Sequence, residues 1–493
     1  MSVIARQSFK YSIIGYLGFL LGTISAIFIF PFDMVFYGKL RFVLSATLML
    51  VPFVVFGLSY SNVYFFGKAK EEGKHQNLFS LSLVGVGINF LIFLLGFFAF
   101  FYIFSSFQED SELWDMKRLI LPMVLVMSLS AVFNRYISNF KRIVVPNIFE
   151  NIFPKLANLG AFCLFFFMGF AEKSAYGFFF MMFVISLFGY GLYTNRLEKV
   201  KFDFDLGYFK KDNFYREILT YSLFGFLGNI GNYIAIKIDS YMIGEFISFE
   251  ENGIYNNIYS IISLIVVPQM GLFNLSAPII NKVLANGDYN ELDRFHKKTS
   301  LSLFFLGLVL FCCIAVGFPY LADFMKNGED LRSSEPIVWV LGFAMLFDLA
   351  TGFNGHIISL SRYYKFNIVV MLILAVLTIT TNMLFLKHTD LGILGIAMAY
   401  AISLTLFNII KIIFNYIKFK VFPLGIEMMY AMILGCISIN VALLLPDLKL
   451  NILNLFYKPT VVLIVLFIGN HFLKIYPLDK YLNQAFIKSL FRF

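Results

Sequence analysis

Apolar segments of membrane-spanning length recur along the whole chain. A helix rises 1.5 Å per residue, so about 20 apolar residues cross a hydrocarbon core of about 30 Å. Because a helix satisfies its own backbone hydrogen bonds, the pattern predicts an all-α integral membrane protein of about 14 transmembrane helices. The predicted spans are 12–30, 42–62, 79–104, 119–137, 149–170, 175–193, 218–241, 254–279, 299–318, 337–357, 366–385, 392–414, 425–445 and 459–474.

The composition excludes a soluble protein. Of the 493 residues, 59% are hydrophobic and only 14% are charged, and the mean hydropathy is +0.79. The four cysteines all lie in apolar segments and have neither disulfide nor zinc spacing, so we expect no metal site.

The basic residues predict the orientation. Lys and Arg concentrate in the even-numbered connections, such as residues 68–74, 196–216 and 282–298, whereas acidic residues mark 109–115 and 323–335 on the other side. The positive-inside rule then places both termini in the cytoplasm. Topology thereby accounts for the net charge of +9, and we expect no nucleic-acid partner.

Two stretches half a chain apart repeat each other. Tyr37 to Leu78 runs parallel to Asn252 to Leu292. The matched pairs are Gly38 and Gly253, Pro52 and Pro268, Gly57 and Gly271, Gly73 and Gly287, and Leu78 and Leu292. Downstream, Asn134, Ile137, Arg142 and Asn147 return as Asn354, Ile357, Arg362 and Asn367. Such a repeat is typical of transporters that alternate access around a central site.

The repeat predicts the domain organisation. Each half has about six crossings, so both halves enter the membrane with the same orientation, and a pseudo-two-fold axis along the membrane normal relates two six-helix bundles. The predicted divisions are an N-terminal bundle of helices 1–6 (1–195), a cytoplasmic linker (196–216), a C-terminal bundle of helices 7–12 (217–420), and two C-terminal helices, 13 and 14, with a cytoplasmic tail (421–493).

Four segments carry a family resemblance. VPFVVFGLSYSNVYFF (51–66), NRYISNFKRIVVPNIFENIFPK (134–155), KIDSYMIG (237–244) and FDLATGFNGHIISLSRYYKFN (347–367) resemble bacterial polysaccharide biosynthesis proteins. These belong to the multidrug, oligosaccharidyl-lipid and polysaccharide exporter superfamily. The resemblance covers nearly the whole chain. It implies a flippase of the bacterial cytoplasmic (inner) membrane.

The implied substrate is an undecaprenyl-diphosphate-linked oligosaccharide, an O-antigen, capsule or exopolysaccharide repeat unit that moves from the inner to the outer leaflet. The resemblance also implies a polysaccharide polymerase and a chain-length regulator as partners, besides membrane lipids. We expect a monomer without a cofactor, and coupling to a proton or sodium gradient stays open.

Charges inside the apolar segments are the candidate site residues, because each costs a few kcal/mol at the bilayer centre unless it faces water or a partner. Lys155 and Lys237 are the candidate diphosphate contacts. Alternatively, Lys155 extends to the cytoplasmic surface or pairs with Glu150. Asp239 lies two residues from Lys237, so the two side chains point in different directions from a helix.

Asp348 lies near the middle of the tenth predicted span, with no basic residue within one turn. Asp348 and Asp239 are therefore candidates for ion coupling, although each could be a structural acid. Arg135, Asn134 and Asn354 complete the candidates. Arg135 would admit phosphate or anchor the helix end, and the amides would bind sugar hydroxyls or join helices.

Three alternatives stay open. A cation-coupled multidrug exporter and a peptidoglycan lipid-precursor flippase belong to the same superfamily, and a membrane-bound polysaccharide polymerase is a more distant alternative. The sequence shows no Ser/His/Asp arrangement, no paired catalytic carboxylates in one loop and no cofactor fingerprint. We therefore expect a protein that is not an enzyme.

Overall fold

The computed structural model describes residues 3–210 and 213–477, and every regular element in these residues is helical. In the first part of the chain the helices are α1 (Val3–Phe28), α2 (Met34–Val55), α3 (Leu58–Glu71), α4 (His75–Ile103), α5 (Ser106–Glu109), α6 (Glu112–Asp115), α7 (Lys117–Ser138), α8 (Val144–Asn151), α9 (Phe153–Phe162), α10 (Glu172–Leu197) and α11 (Leu206–Lys210). A 3-10 turn (Phe30–Phe32) precedes α2, and a π-helical segment (Cys163–Phe167) follows α9.

The remaining helices are α12 (Phe214–Phe246), α13 (Phe249–Ile262), α14 (Val267–Asn286), α15 (Tyr289–Phe324), α16 (Gly328–Ser333), α17 (Glu335–Ala350), α18 (Asn354–Leu360), α19 (Tyr364–His388), α20 (Gly392–Phe419), α21 (Ile426–Leu444) and α22 (Asn451–Leu473). A 3-10 turn (Ser263–Val266) joins α13 to α14.

All fourteen predicted spans are largely helical, but not all are uninterrupted apolar helices. The span 42–62 is broken at Phe56 and Gly57, whose left-handed backbone separates α2 from α3. Within the described ranges, ten helices are long and apolar enough to cross a membrane, and the pair α17 and α18, bent by 46°, raises the number to eleven. Of the other three, the spans 149–170 and 254–279 are broken into shorter helices, and 218–241 lies in α12, which contains no comparably long apolar stretch. The structure confirms an all-helical, multi-pass membrane protein, and the count of fourteen stays a prediction.

The chain divides into two compact units. The first comprises the described residues of Met1–Ile261 and Lys365–Ser403, and the second those of Ile262–Tyr364 and Leu404–Phe493. The division into bundles at 195, 217 and 420 stays a prediction.

The repeat appears in the first unit as a reciprocal contact between α2 and α13. Asp33 caps α2 by accepting from the Phe36 amide at 2.8 Å, and Ser248, at the matching repeat position, caps α13 through the Glu251 amide at 3.1 Å. Five residues after each cap a glycine lets the backbones meet.

These two glycines are Gly38 and Gly253. A Cβ on Gly38 would lie 2.7 Å from the carbonyl carbon of Phe249, and one on Gly253 would lie 2.8 Å from that of Met34. Gly38 therefore contacts the residue four positions before Gly253, and Gly253 contacts the residue four positions before Gly38. Such an exchange is what a two-fold axis between equivalent helices produces. The Asn252 side chain adds a 2.8 Å hydrogen bond to the Gly38 carbonyl oxygen.

In the second unit the terminal helices α21 and α22 both pack on α15. Lys458 of α22 is only 1% exposed. Its ammonium donates to the carbonyl oxygens of Ala442 at 3.0 Å and Leu445 at 2.6 Å and pairs with Asp447 at 2.8 Å. This buried cation satisfies the carbonyl groups at the C-terminus of α21.

Candidate functional site

The first unit contains a cavity of about 330 Å³ among α2, α7, α8, α9, α10 and α12. Aliphatic and phenylalanine side chains form much of its wall. Its polar lining includes Asn134, Glu150, Tyr190, Tyr233 and Lys237, besides two serines. A polar cavity among apolar helices is the kind of place where a membrane protein accommodates a hydrophilic group.

Helix α12 supplies a polar stripe to this region. Its residues recur at every fourth position over a rise of about 24 Å, so the stripe turns around the helix by about 40° at each step; they are Asn229, Tyr233, Lys237, Tyr241 and Glu245. Asn229 accepts from the Tyr60 hydroxyl at 2.8 Å, and Tyr241 stacks on Phe42 with ring centroids 5.5 Å apart. Glu245 accepts from the Ser111 hydroxyl at 2.6 Å. The stripe explains why α12 is less apolar than a lipid-facing helix.

Lys155 lies on α9 against α1. Its ammonium is 5.1 Å from the centroid of the Phe19 ring. A Cβ on Gly18 would lie 3.4 Å from Nζ, and one on Gly22 would lie 3.4 Å from Cε. The two glycines, one turn apart, therefore leave the space that this side chain occupies.

Arg41 of α2 is a third cation of this region. Its Nε donates to the Asn256 side chain at 2.8 Å, a neutral partner, and its charge repels both Lys155 and Lys237. None of these three cations belongs to an ion pair in the described part of the chain. Arg41 thus lies close enough to a lysine on each of two other helices to interact with both, and an excess of positive charge of this kind favours an anion.

Asn134 and Arg135 lie at the same end of α7 but differ in position. Asn134 lines the cavity and donates to Glu150 and, at 3.4 Å, to Tyr190. Arg135 is exposed. Its guanidinium stacks 4.7 Å from the Tyr60 ring centroid and donates to the Tyr60 hydroxyl at 3.1 Å. The structure therefore places Asn134 with Lys237 in the lining and Arg135 outside it.

Asp239 occupies a different face of α12 from Lys237. It is 4% exposed, accepts from Asn382 of α19 at 2.8 Å, and accepts from the Tyr255 hydroxyl at 3.2 Å. An acid held by neutral donors, without an ion pair among the described residues, is a chemically suitable site for a proton or a small cation.

Asp348 and Asn354 belong to the second unit and do not line the cavity of the first. Asp348 accepts from Asn408 of α20 at 2.8 Å. It also interacts electrostatically with Lys411 of the same helix, which is 7% exposed. Asn354, at the start of α18, accepts from Asn415 at 2.7 Å. Asp348 thus has no basic residue near it along its own helix, but in the folded protein it interacts with Lys411 of α20.

Solved structures of low sequence identity share this fold. A lipid II flippase, MurJ, in an inward closed conformation has a TM-score of 0.68 at 16% identity and covers 94% of this chain and 99% of its own. An inward-facing multidrug resistance transporter of the MATE family has a TM-score of 0.63 at 14% identity, over 82% and 94%. A MOP superfamily transporter from Pyrococcus furiosus has a TM-score of 0.57 at 15% identity, over 85% and 95%. No curated protein sequence matches.

Fold and cavity together define the class: a multi-pass membrane protein with the fold of the MOP superfamily transporters. These neighbours are transporters and a flippase, in agreement with the expectation of a protein that is not an enzyme. A family model described as polysaccharide biosynthesis protein matches residues 5–284. The chain belongs to that family, which confirms the resemblance found in its sequence motifs.

Proposed function

We propose that this protein is a flippase that moves an undecaprenyl-diphosphate-linked oligosaccharide repeat unit from the inner to the outer leaflet of a bacterial cytoplasmic membrane. The observation that carries the proposal is Lys237 in the lining of a partly polar cavity inside a transporter fold, with Arg41 and Lys155 as two further cations outside that lining. The diphosphate and glycan cannot cross hydrocarbon unaided. Cations for the phosphates and hydroxyl and amide groups for the sugars meet that need.

The balance of charge supports an anionic substrate over a cationic drug. The cavity lining has one acid, Glu150, which accepts from Asn134, and one cation, Lys237; Arg41 and Lys155 add two further positive charges outside the lining. A positively charged compound would meet electrostatic repulsion there, whereas a diphosphate would be attracted. This feature favours a lipid-diphosphate flippase over a multidrug exporter, and the shared chemistry keeps the peptidoglycan precursor as the second candidate substrate.

Transport would proceed by alternating access. Rigid-body movement of the two repeat halves would open the cavity to one side of the membrane and then to the other. Within this scheme Asp239 is the proposed coupling group for a proton or sodium ion, because it is buried among neutral donors. Asp348 is the weaker candidate, since Lys411 already provides it with a positive charge.

The test is made in a strain that lacks the protein. We expect complete lipid-linked repeat units to accumulate facing the cytoplasm, and restoring the protein should release them. Accumulation of lipid II instead would assign the peptidoglycan precursor as substrate. Normal outward movement of both lipids, with new sensitivity to cationic drugs, would refute the proposal in favour of drug export.

A double variant tests the cations. Each contact between an ammonium group and a phosphate contributes about 1.5–3 kcal/mol, so Lys155→Ala with Lys237→Ala should reduce substrate affinity by roughly 100-fold or more. The matched control is Lys282→Ala, which removes an exposed lysine. Full export by the double variant at normal protein level would exclude this cation site.

A further inference from the structure

The segment between α10 and α11, together with the first residue of α11, is tied to the start of α4, and we call these residues, 198–206, the strap. Asp203 and Asp205 pair with the Lys74 ammonium at 3.3 and 3.0 Å. The Asn77 side chain donates to the carbonyl oxygens of the same two residues, both at 3.2 Å. The Asp203 amide donates to the Ser80 hydroxyl at 3.2 Å. One edge of the strap is thus bound to protein.

The other edge of the strap is apolar and exposed. The Asp203 and Asp205 side chains are directed at Lys74, whereas the apolar side chains next to them in the sequence are exposed. Phe202 is 64% exposed, Phe204 55% and Leu206 61%. The two phenylalanine rings are nearly parallel, 6.2 Å apart, and form a continuous apolar ridge.

The length of α4 indicates how far the ridge lies from the hydrocarbon core of the membrane. Its 29 residues extend about 43 Å, some 13 Å more than a hydrocarbon core of about 30 Å. An even division leaves about 7 Å beyond the core at each end. The strap contacts α4 between His75 and Ser80, within that same distance of its end. With that division the ridge would lie at the level of the lipid headgroups.

The charges around the ridge fit an anionic surface. Lys199, Lys201 and Lys210 are all exposed, whereas the strap's own Asp203 and Asp205 are turned toward Lys74. Aromatic and aliphatic side chains flanked by lysines are the composition that binds the interface of anionic membranes.

We propose that the strap is an interfacial membrane anchor, in which Phe202, Phe204 and Leu206 insert among the headgroups of anionic lipids on the side of the basic connections. The linker between the two repeat halves is then fixed along both edges, to α4 by hydrogen bonds and ion pairs and to the leaflet by its ridge. The proposal does not depend on the transported substrate.

Tryptophan fluorescence in vesicles tests the anchor. The chain has two tryptophans, and Trp114→Phe with Trp339→Phe gives a silent background. A single reporter is introduced as Phe202→Trp or Phe204→Trp, and the matched control reporter is Glu71→Trp, at an exposed position on α3. The protein is reconstituted with brominated phosphatidylcholine, alone or mixed with phosphatidylglycerol.

We expect brominated lipid to reduce reporter emission at the strap roughly twofold while the control changes little, because bromine quenches only nearby tryptophan. Lys199→Glu with Lys201→Glu should weaken this quenching in mixed vesicles and not in phosphatidylcholine alone. Strap reporters that respond to iodide like the control and not to brominated lipid would overturn the proposal. Strap reporters shielded from both quenchers would also overturn it, by showing that protein covers the ridge.

Discussion

The contact between Gly38 and Gly253 predicts that neither glycine tolerates a methyl group. The obstructing atoms are backbone atoms of the opposite helix, which cannot rotate away as a side chain can. A Cβ on Gly38 would lie 2.7 Å from the Phe249 carbonyl carbon and 2.9 Å from the Gly253 nitrogen. Ordinary carbon contacts are about 3.5–4.0 Å, and the Phe249 carbonyl oxygen lies nearer still, so α2 and α13 would have to separate by more than about 1 Å.

That separation has a definite magnitude. Overpacking costs about 1–3 kcal/mol, and the hydrogen bond from Asn252 to the Gly38 carbonyl oxygen would lose about 1 kcal/mol more. We therefore expect Gly38→Ala and Gly253→Ala each to destabilise the protein by about 3 kcal/mol. Both substitutions separate the same two helices, so the double variant should lose less than the sum.

The matched control is Gly87→Ala in α4. A Cβ on Gly87 meets nothing within 4 Å, and alanine is favoured over glycine in a helix by about 0.5–1 kcal/mol. Thermal unfolding in detergent, followed by intrinsic fluorescence, compares the three variants. If Gly38→Ala unfolds at the same temperature as Gly87→Ala, the inferred close approach of α2 and α13 is wrong.

Three further changes have defined outcomes. Asp239→Asn should abolish the dependence of transport on a proton or sodium gradient while leaving substrate binding intact, as measured by counterflow in vesicles; unchanged ion dependence would remove Asp239 from the mechanism. Lys458→Met should destabilise the protein by about 1–3 kcal/mol, because buried carbonyl groups at the end of α21 lose their donor, and thermal unfolding measures this. Hydrogen bonding to Lys74 lowers the pKa of the Asp205 carboxyl and raises the pKa of Lys74. The contribution of Asp205 to stability is present above the ordinary pKa of an Asp carboxyl, about 4, and is lost as pH falls through the lowered pKa. The contribution of Lys74 is present below the ordinary pKa of a lysine, about 10.4, and is lost as pH rises through the raised pKa. Amide exchange in the strap, measured with His75→Gln to remove the pair of His75 with Glu198 and corrected for its intrinsic pH dependence, should therefore give constant protection from about pH 5 to 9, and a change within this window would contradict the pairing.

The sequence predicted the helical membrane architecture because apolar length is a property of each segment alone. It placed the start of the second span at residue 42, however, whereas α2 begins at Met34, after the Asp33 cap. Arg41 consequently lay outside the predicted helix and was missed as a site residue. A capping acid before an apolar run was the available signal.

The candidate site could be predicted only in part. Lys155 and Lys237 stood out because charges in apolar segments are rare. The interaction of Asp348 with Lys411, by contrast, joins two different helices, so the spacing of residues along one helix could not predict it. The stripe on α12 was visible as a four-residue period from Asn229 to Glu245, but its contacts with α2, α3 and the loop at Ser111 required the fold.

The contact between α2 and α13 also constrains how this sequence can diverge. Each repeat presents a glycine to the other, so the interface is self-complementary. Two copies of a half-length ancestor could have paired through an interface of this form. After duplication the two positions share one steric limit, so a side chain gained at either has to be accommodated by the other half. The halves can drift apart freely in their lipid-facing residues, but at Gly38 and Gly253 they evolve as a single unit.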